Sequence, residues 1–241
     1  MKRLLSLKLL VCALVCALAA RADQPPRYQP VARSRDGIGV RYLGREIAHV
    51  MGYQGAAWLE REEREREERT DLLLPELHLA PGMTVADVGA GTGYIARRMA
   101  RLVGPTGAVL AVDVQPEMIE LLTGLARKEK LPQLHPVLGS TDDVKLTAGS
   151  VDVAIFVDVY HELKHPFELL GSVVRALKPG GRVVFVEFRA EDPGVPIKRL
   201  HKMTVEQVKR EAAVFPLRLE RVKEPLPWQH IIVFQKRMLG G

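Results

Sequence analysis

The chain has 241 residues, of which 47% are hydrophobic, 27% charged and 5% aromatic, so it is long and apolar enough to bury one sizeable core. This composition excludes wholesale disorder, and only two cysteines exclude a disulfide-dense scaffold. No apolar run approaches the ~20 residues of a membrane span, which excludes a polytopic membrane protein. The formal net charge of +6 would by itself favour an anionic partner.

The amino terminus has the pattern of an export signal, predicted for residues 1–22. A basic opening precedes the apolar run Leu9 to Ala20, and Ala20-Arg21-Ala22 then places small residues at the two positions that a signal peptidase reads. The alternative is a buried amphipathic helix. Without its four basic residues the chain keeps 31 basic and 29 acidic groups, a net charge of +2. We therefore expect an exported, periplasmic or secreted protein, with no nucleic-acid partner and no membrane span after signal removal, and a cytoplasmic one if the signal is not used.

Residues 23–69 are predicted to form an amino-terminal leader and a helical extension. The first part is polar and rich in proline and arginine, and Arg45 to Met51 is predicted as a short helix. Glu60 to Arg69 mixes six glutamates with four arginines, with opposite charges at i,i+4. This run predicts a solvated helix that continues into Leu72-Leu73-Leu74.

Strands and helices alternate from Met83 onward, and residues 70–241 are predicted to form one α/β domain. The alternation predicts three layers: an open, mostly parallel sheet of seven strands with helices on both faces and an antiparallel last strand. The predicted strands cover residues 84–88, 108–114, 134–138, 151–157, 182–188, 217–222 and 231–235.

The clearest motif is Asp87-Val88-Gly89-Ala90-Gly91-Thr92-Gly93, where the first of these strands meets a helix. Glycines at alternate positions allow a tight turn and a close approach of a ligand to the backbone. The spacing differs from the dinucleotide fingerprint G-x-G-x-x-G, and an acidic residue precedes it. Asp113 ends the next strand, twenty residues after Gly93, where a carboxylate can accept hydrogen bonds from a ribose diol. Ordinary turn or strand-end acids are the alternatives for Asp87 and Asp113.

These motifs, together with Gly139-Ser140-Thr141-Asp142, Val157–His161 and Leu177–Gly181, resemble the class I S-adenosylmethionine-dependent methyltransferases in order and spacing over roughly residues 70–236. The chain is similar to the branch that includes the ubiquinone and menaquinone C-methyltransferases. The resemblance implies a Rossmann-like methyltransferase fold, S-adenosylmethionine as cofactor, and methyl transfer to a small-molecule acceptor.

The resemblance also implies roles for individual residues. The glycine loop would hold the methionine end of the cofactor, Asp113 the ribose and Asp142 the adenine amino edge. Asp142 and Asp143 remain alternatives, because this chain has Gly-Ser-Thr-Asp-Asp where the family often has Gly-Asp-Ala. The predicted cofactor-binding residues are Asp87, Gly89, Ala90, Gly91, Thr92, Gly93, Asp113, Val114, Thr141, Asp142 and Asp158.

Catalytic roles are predicted for Asp158 and His161, which end and follow the fourth strand of the domain. His161 is either a general base for the acceptor or a residue that only shapes the pocket, and both remain open. Further pocket walls are expected from His49–Tyr53 and from the basic segment Pro196–Met203. No metal site is predicted.

Two other functions compete with a methyltransferase. A protein that binds S-adenosylmethionine without transferring its methyl group fits an exported chain, because this cofactor is made in the cytosol. An NAD-linked oxidoreductase is disfavoured by Asp87 and by the pattern of the last two strands.

Overall fold

The computed structural model describes residues 27–238, and the predicted export signal lies outside them. The strands are β1 (Tyr28–Pro30), β2 (Gly37–Tyr42), β3 (Arg45–Ala48), β4 (Thr84–Val88), β5 (Ala108–Asp113), β6 (Leu134–Leu138), β7 (Val151–Val157), β8 (Leu177–Phe188), β9 (Leu217–Lys223) and β10 (Gln229–Lys236). The helices are α1 (Ala56–Leu59), α2 (Arg64–Glu68), α3 (Thr70–Glu76), α4 (Ala96–Val103), α5 (Pro116–Lys128), α6 (Pro166–Ala176) and α7 (Val205–Ala212).

Seven strands form the main sheet, in the order β6-β5-β4-β7-β8-β10-β9. The pairs β4–β5, β4–β7, β5–β6 and β7–β8 are parallel, whereas β10 runs antiparallel to both β8 and β9. The prediction of a three-layer α/β sheet with an antiparallel last strand is confirmed. Strand β7 lies in the middle and is buried along most of its length, which explains its unbroken apolar sequence.

Helices cover both faces of this sheet and bury two apolar cores. Leu170 of α6 and Val208 of α7 pack on one face, and Met99 of α4 and Leu122 of α5 pack on the other. Helix α7 begins after Thr204, whose side chain accepts a hydrogen bond from the Gln207 amide at 3.0 Å and so caps the helix. None of the helices within residues 27–238 is both long and apolar enough to cross a lipid bilayer.

The first part of the described chain is a small antiparallel sheet, β1-β2-β3, which corrects the prediction of a leader and a helix there. Arg45 to Met51 is not helical, since its first four residues are β3. A two-residue hairpin loop joins β2 to β3, and both loop residues have positive φ, +43° at Leu43 and +103° at Gly44. Hairpin loops with two positive φ angles match the twist of their strands, so the turn dictates the pairing.

The charged run also differs from the solvated helix that its sequence predicts. The run contains the short helix α2, and Arg69, with a positive φ of +48°, separates it from α3, which holds Leu72 to Leu74. Arg64 and Glu68 are buried, and the distance from Arg64 Nε to Glu68 Oε2 is 2.8 Å. Glu60 pairs with Arg97 of α4 at 2.8 Å. Arg64 and Glu68 pair within the run at i,i+4, whereas Glu60 finds a partner on the main domain that the local pattern does not show, so the run packs onto that domain.

Candidate active site

A cavity of about 470 Å³ opens at the carboxyl ends of β4, β5 and β7. Open parallel sheets bind ligands at this edge, and the volume lies within the usual range of small-molecule sites. Most of its wall is apolar. The described residues that line it are Ile38, Val40, Ala48, His49, Val50, Met51, Leu59, Val88, Gly89, Gly91, Val112, Asp113, Val114, Gln115, Met118, Ser140, Thr141, Val157, Asp158, Val159, Glu162, Leu163, Lys164 and Leu169.

The glycine loop after β4 forms one side of the cavity through Gly89 and Gly91. Their φ angles are +76° and +54°, which side chains other than glycine rarely adopt. A Cβ atom on Gly89 would lie 2.4 Å from a methyl carbon of Val159, and one on Gly91 would lie 2.8 Å from Leu59 Cδ1. The Gly89 amide also donates to the carbonyl of Val112 at 2.8 Å. Both conformation and space therefore require glycine in this loop.

Asp113 ends β5 beside that loop and lies in the cavity wall. Its Oδ2 accepts a hydrogen bond from the Gly91 amide, and its Oδ1 accepts one from the Gln115 amide, both at 3.0 Å. Burial raises the pKa of Asp113. The two amides fix the carboxylate in one orientation while each oxygen keeps a second lone pair, so the group can also accept bonds from a ligand.

Asp158 follows β7 on the other side of the glycine loop, also in the wall. Its φ is +52°, a conformation that aspartate tolerates better than most residues. Its Oδ2 accepts from Gln229 Nε2 at 3.0 Å, whereas its buried Oδ1 has no hydrogen-bond partner within residues 27–238. Burial, with Glu68 and Glu187 nearby, raises its pKa well above the ordinary value.

The structure brings six of the predicted cofactor-binding residues to the cavity and leaves the others outside it. The six are Gly89, Gly91, Asp113, Val114, Thr141 and Asp158. Ala90 and Gly93 belong to the loop without lining the cavity. Thr92 faces the amino-terminal segment, and its hydroxyl donates to Glu60 Oε1 at 2.6 Å. Asp142 is exposed and accepts from the Ser140 hydroxyl at 2.6 Å, which lowers its pKa.

Asp87 is buried beneath the glycine loop and does not line the cavity. Burial raises its pKa to about 7, an effect that Arg64 opposes and Asp113 reinforces. Its Oδ2 has no hydrogen-bond partner among the residues described. Asp87 therefore lies under the loop and does not contact the space where a ligand would lie.

His161 is buried in the 3-10 turn Tyr160–Glu162 and does not line the cavity, although its neighbour Glu162 does. Its Nδ1 lies 2.6 Å from Glu187 Oε2, and its Nε2 lies 3.2 Å from His201 Nδ1. Burial acts to lower the pKa of His161, but the Glu187 carboxylate outweighs it and the net shift is upward. The predicted catalytic pair is thus divided, with Asp158 in the wall and His161 behind it.

The amino-terminal segment supplies a wall of the cavity that sequence reasoning mostly missed. His49 to Met51 was expected there and lines it, but Ile38 and Val40 of β2 and Leu59 of α1 were not expected. The alternation of apolar residues along β2 is too short to predict a strand, and so too short to predict that Ile38 and Val40 line the cavity. The Leu43-Gly44 hairpin loop was the signal that could have revealed the strands.

The basic segment Pro196–Met203 does not line the cavity. Lys198 pairs with Asp36 at 2.9 Å, and Lys202 donates to the carbonyl oxygens of Asp192 and Val195. These cations are therefore engaged within the protein. His201, from the same segment, instead meets His161.

Comparison with known proteins fits this geometry. Residues 79–231 match the family described as "Methyltransferase domain", which is more than half of the chain. The chain belongs to this family. The match spans the main sheet from just before β4 into β10, so the small β1–β3 sheet lies outside it.

Relatives share the same central part. The chain is 31% identical over 118 residues to the ubiquinone/menaquinone biosynthesis C-methyltransferase UbiE of Ectopseudomonas mendocina, which covers 48% of this chain and 45% of that protein. It is 34% identical over 105 residues to an arsenite methyltransferase of Halobacterium salinarum, covering 44% and 27%. The chain spans less than half the length of these curated relatives.

Solved structures show the fold. A SAM-dependent methyltransferase from Aquifex aeolicus superposes with a TM-score of 0.73 at 23% identity, over 78% of this chain and all of that one. The [4+2]-cyclase SpnF superposes with a TM-score of 0.61 at 16% identity, over 70% of this chain and 80% of that one. The same fold thus occurs in a protein named for a different reaction, so function must be argued from the site.

Proposed function

We propose that the protein transfers a methyl group from S-adenosylmethionine to a small, largely apolar acceptor. One observation carries this proposal: a glycine loop and two fixed carboxylates, Asp113 and Asp158, meet an apolar wall in one cavity of about 470 Å³. The family membership supports the reaction type.

The polar side of the cavity fits this cofactor. S-adenosylmethionine supplies the methyl group on a sulfonium that already carries its leaving group. Gly89 and Gly91 let a ligand approach the backbone, and Asp113 offers lone pairs suited to a ribose diol. Asp158 lies in the wall, and a cationic ligand beside it would favour the ionised form of its carboxyl group, which burial disfavours. Ser140 and Thr141, not Asp142, lie in the wall where the resemblance implies adenine.

The apolar side fits the acceptor. Side chains of β2, α1 and the segment around Met51 face the cavity, and apolar walls of this kind bind hydrocarbon through burial of surface. Methyl transfer from a sulfonium needs mainly alignment of the acceptor atom, which such a wall provides. We keep Asp158 as a residue that contacts the reacting region. His161 lies behind the wall, so the choice between a general base and a residue that only shapes the pocket stays open.

Calorimetry with S-adenosylmethionine, its demethylated product and NAD tests the cofactor, and a methyl-transfer assay on a panel of apolar acceptors tests turnover. We expect binding of the first two ligands, no binding of NAD, and turnover with an acceptor. Binding without turnover on any acceptor would favour the alternative of a binding protein. NAD binding would favour an oxidoreductase and contradict the proposal.

Asp113→Ala sharpens the assignment of the cofactor. Hydrogen bonds to a charged acceptor contribute about 1.5–3 kcal/mol each, so losing two weakens S-adenosylmethionine binding by roughly a hundredfold. Asp142→Ala is the matched control, because Asp142 is exposed and outside the cavity. Equal affinities of two folded variants would contradict the role of Asp113.

We further propose that the chain is exported and that residues 1–22 are removed, from the basic opening, apolar run and Ala-x-Ala site. Mass spectrometry of the amino-terminal peptide from native cells tests this. A mature chain that begins at or near Asp23 is expected, and a protein that still begins at Met1 or Lys2 would contradict it.

A further inference from the structure

Three side chains that lie up to forty residues apart in the sequence meet beside the cavity. His161 and Glu162 lie in the 3-10 turn after β7, and His201 ends the 3-10 turn Arg199–His201. One ligand atom from each, namely one nitrogen from each imidazole and a carboxylate oxygen, lies within 4.8 Å of the other two. The proposed roles of the cavity residues do not explain this convergence.

The cluster is held in a fixed orientation. Glu187 is fully buried, and its Oε2 lies 2.6 Å from His161 Nδ1 while its Oε1 accepts from the Tyr160 amide at 2.8 Å. A proton on Nδ1 satisfies Glu187 and leaves the lone pair of Nε2 directed at His201. A carboxylate behind an imidazole in this way is the usual support of a metal-ligating histidine.

The distance between the imidazoles also fits a shared ion. His161 Nε2 and His201 Nδ1 are 3.2 Å apart. Two nitrogens bound to one tetrahedral zinc ion at about 2.0–2.1 Å would lie about 3.3 Å apart. A set of two imidazoles and one carboxylate is typical of zinc and ferrous sites that keep an open coordination position.

We propose that His161, Glu162 and His201 form a binding site for a divalent transition-metal ion, with zinc as the best match, and that Glu187 is its positioning residue. Glu162 also lines the cavity, so the ion lies at the cavity wall. Three protein ligands leave a coordination position open to water or to an oxygen atom of a small molecule. The sequence predicted no metal site, because His161, Glu162 and His201 do not have the spacing of a known metal-binding motif.

The test uses the full chain without a histidine tag, stripped with a chelator, in a Cys12→Ser/Cys16→Ser background that removes both thiol ligands. Calorimetry with zinc and visible absorption with cobalt(II) are the readouts, and neither needs methyl transfer. One equivalent of zinc and a four-coordinate cobalt spectrum are expected. Substoichiometric or absent binding would overturn the site.

Variants locate the ion. His201→Ala and Glu162→Gln should each weaken zinc binding at least tenfold and abolish the cobalt spectrum. His135→Ala, which removes an exposed imidazole on β6, should leave both unchanged. His201 is only partly buried, so its variant tests the site even if substitutions at His161 prevent folding. Unchanged binding by folded His201→Ala would overturn the proposal.

Glu187→Gln tests positioning separately. Loss of a supporting carboxylate typically weakens metal affinity by 10- to 100-fold, so zinc should bind more weakly while the cobalt spectrum keeps its four-coordinate form. A folded Glu187→Gln with unchanged affinity would contradict the positioning role.

Discussion

The floor and the cover of the cavity are built in different ways. The floor consists of the glycine loop Gly89–Gly93 with Asp113 and Asp158. Main-chain conformation and main-chain amide hydrogen bonds hold the loop and Asp113 in place, and Gln229 holds the Asp158 carboxylate. The cover consists of residues 27–69, and side-chain pairs attach it to distant parts of the domain. Arg45 pairs with Glu211, 166 residues away in the sequence. Glu65 accepts a hydrogen bond from the hydroxyl of Tyr94, which follows the glycine loop.

This difference determines what a sequence reveals. The glycine loop of the floor is a motif of consecutive residues, and Asp113 and Asp158 each end or follow a predicted strand, whereas the cover depends on partners that are close only after folding. Variants can therefore be directed at either region, and each tests whether the two are as distinct as their construction indicates.

The largest expected effect is in the cover, at Arg45. Its guanidinium contacts Glu211 Oε1 at 2.6 Å and Oε2 at 3.1 Å, and the Glu211 side chain is fully buried. Arg45→Met leaves that carboxylate without its cation, which should cost about 3–5 kcal/mol in the free energy of unfolding. Urea unfolding measures this, and the double variant Arg45→Met/Glu211→Leu should regain much of the loss.

The control for Arg45 is Lys209→Ala. Lys209 pairs with Glu206 on the surface of the same helix as Glu211, and such exposed pairs contribute about 0–1 kcal/mol. If Arg45→Met were no more destabilising than this control, the pair would not anchor the cover.

The next effect concerns Asp87, which lies under the floor. Its pKa is about 7 in the folded protein against 3.8 as the ordinary value, because it is buried. Below pH 4 both states hold the proton and stability does not depend on this group. Between pH 4 and 7 only the folded state holds it, so stability falls as pH rises, by roughly 4 kcal/mol at most.

Asp87→Asn removes that dependence. The variant should gain stability relative to the natural chain as pH rises from 4 to 7, with no further gain above pH 7. Urea midpoints at several pH values measure the gap, with Asp142→Asn as the exposed control. A gap that stays constant over this range would show that the carboxyl ionises normally.

The main sheet could be predicted almost completely. The strands at Leu134–Leu138 and Val151–Val157 have the predicted bounds, since short apolar runs between turn residues are local signals. The glycine loop and Asp113 were found for the same reason. The small β1–β3 sheet was missed because strands of three to six residues carry too little periodicity.

The remaining misses arose from partners remote in sequence. Glu60 to Arg69 carries the charge pattern of a solvated helix, yet two of its residues contact Tyr94. Glu65 accepts a hydrogen bond from the Tyr94 hydroxyl, and the guanidinium groups of Arg64 and Arg98 lie 4.1 and 3.8 Å from the centre of its ring. Glu162 was overlooked because an acid beside a histidine is unremarkable until His201 lies next to both.

Gly91→Val tests the floor directly. A Cβ there would meet Leu59 at 2.8 Å, and a β-branched residue disfavours the φ of +54°. We expect S-adenosylmethionine affinity to fall by roughly a hundredfold or more, about 2.7 kcal/mol. Gly124→Val is the control, because a Cβ at that exposed position in α5 meets nothing within 4 Å. Full binding by Gly91→Val would mean that the loop does not form the floor.

The smallest expected effect is at the contact between the two regions. The Thr92 hydroxyl, on the glycine loop, donates to Glu60 Oε1 of the cover at 2.6 Å. Thr92→Val removes this bond and keeps the shape of the side chain, while Arg97 still pairs with Glu60 at 2.8 Å. The free energy of unfolding should therefore fall by about 1.5 kcal/mol, the lower end of the range for a hydrogen bond to a charged group.

Hydrogen exchange shows which region that bond serves. In Thr92→Val, amides of residues 56–69 should exchange faster, while those of β4 and β5 stay protected, because the floor is held by its own amides and the cover is not. Thr123→Val, whose hydroxyl donates to the Ile119 carbonyl within α5, should leave both regions unchanged. Faster exchange in β4 and β5 with unchanged exchange in the cover would contradict this expectation, because it would show that the bond through Thr92 stabilises the floor and not the cover.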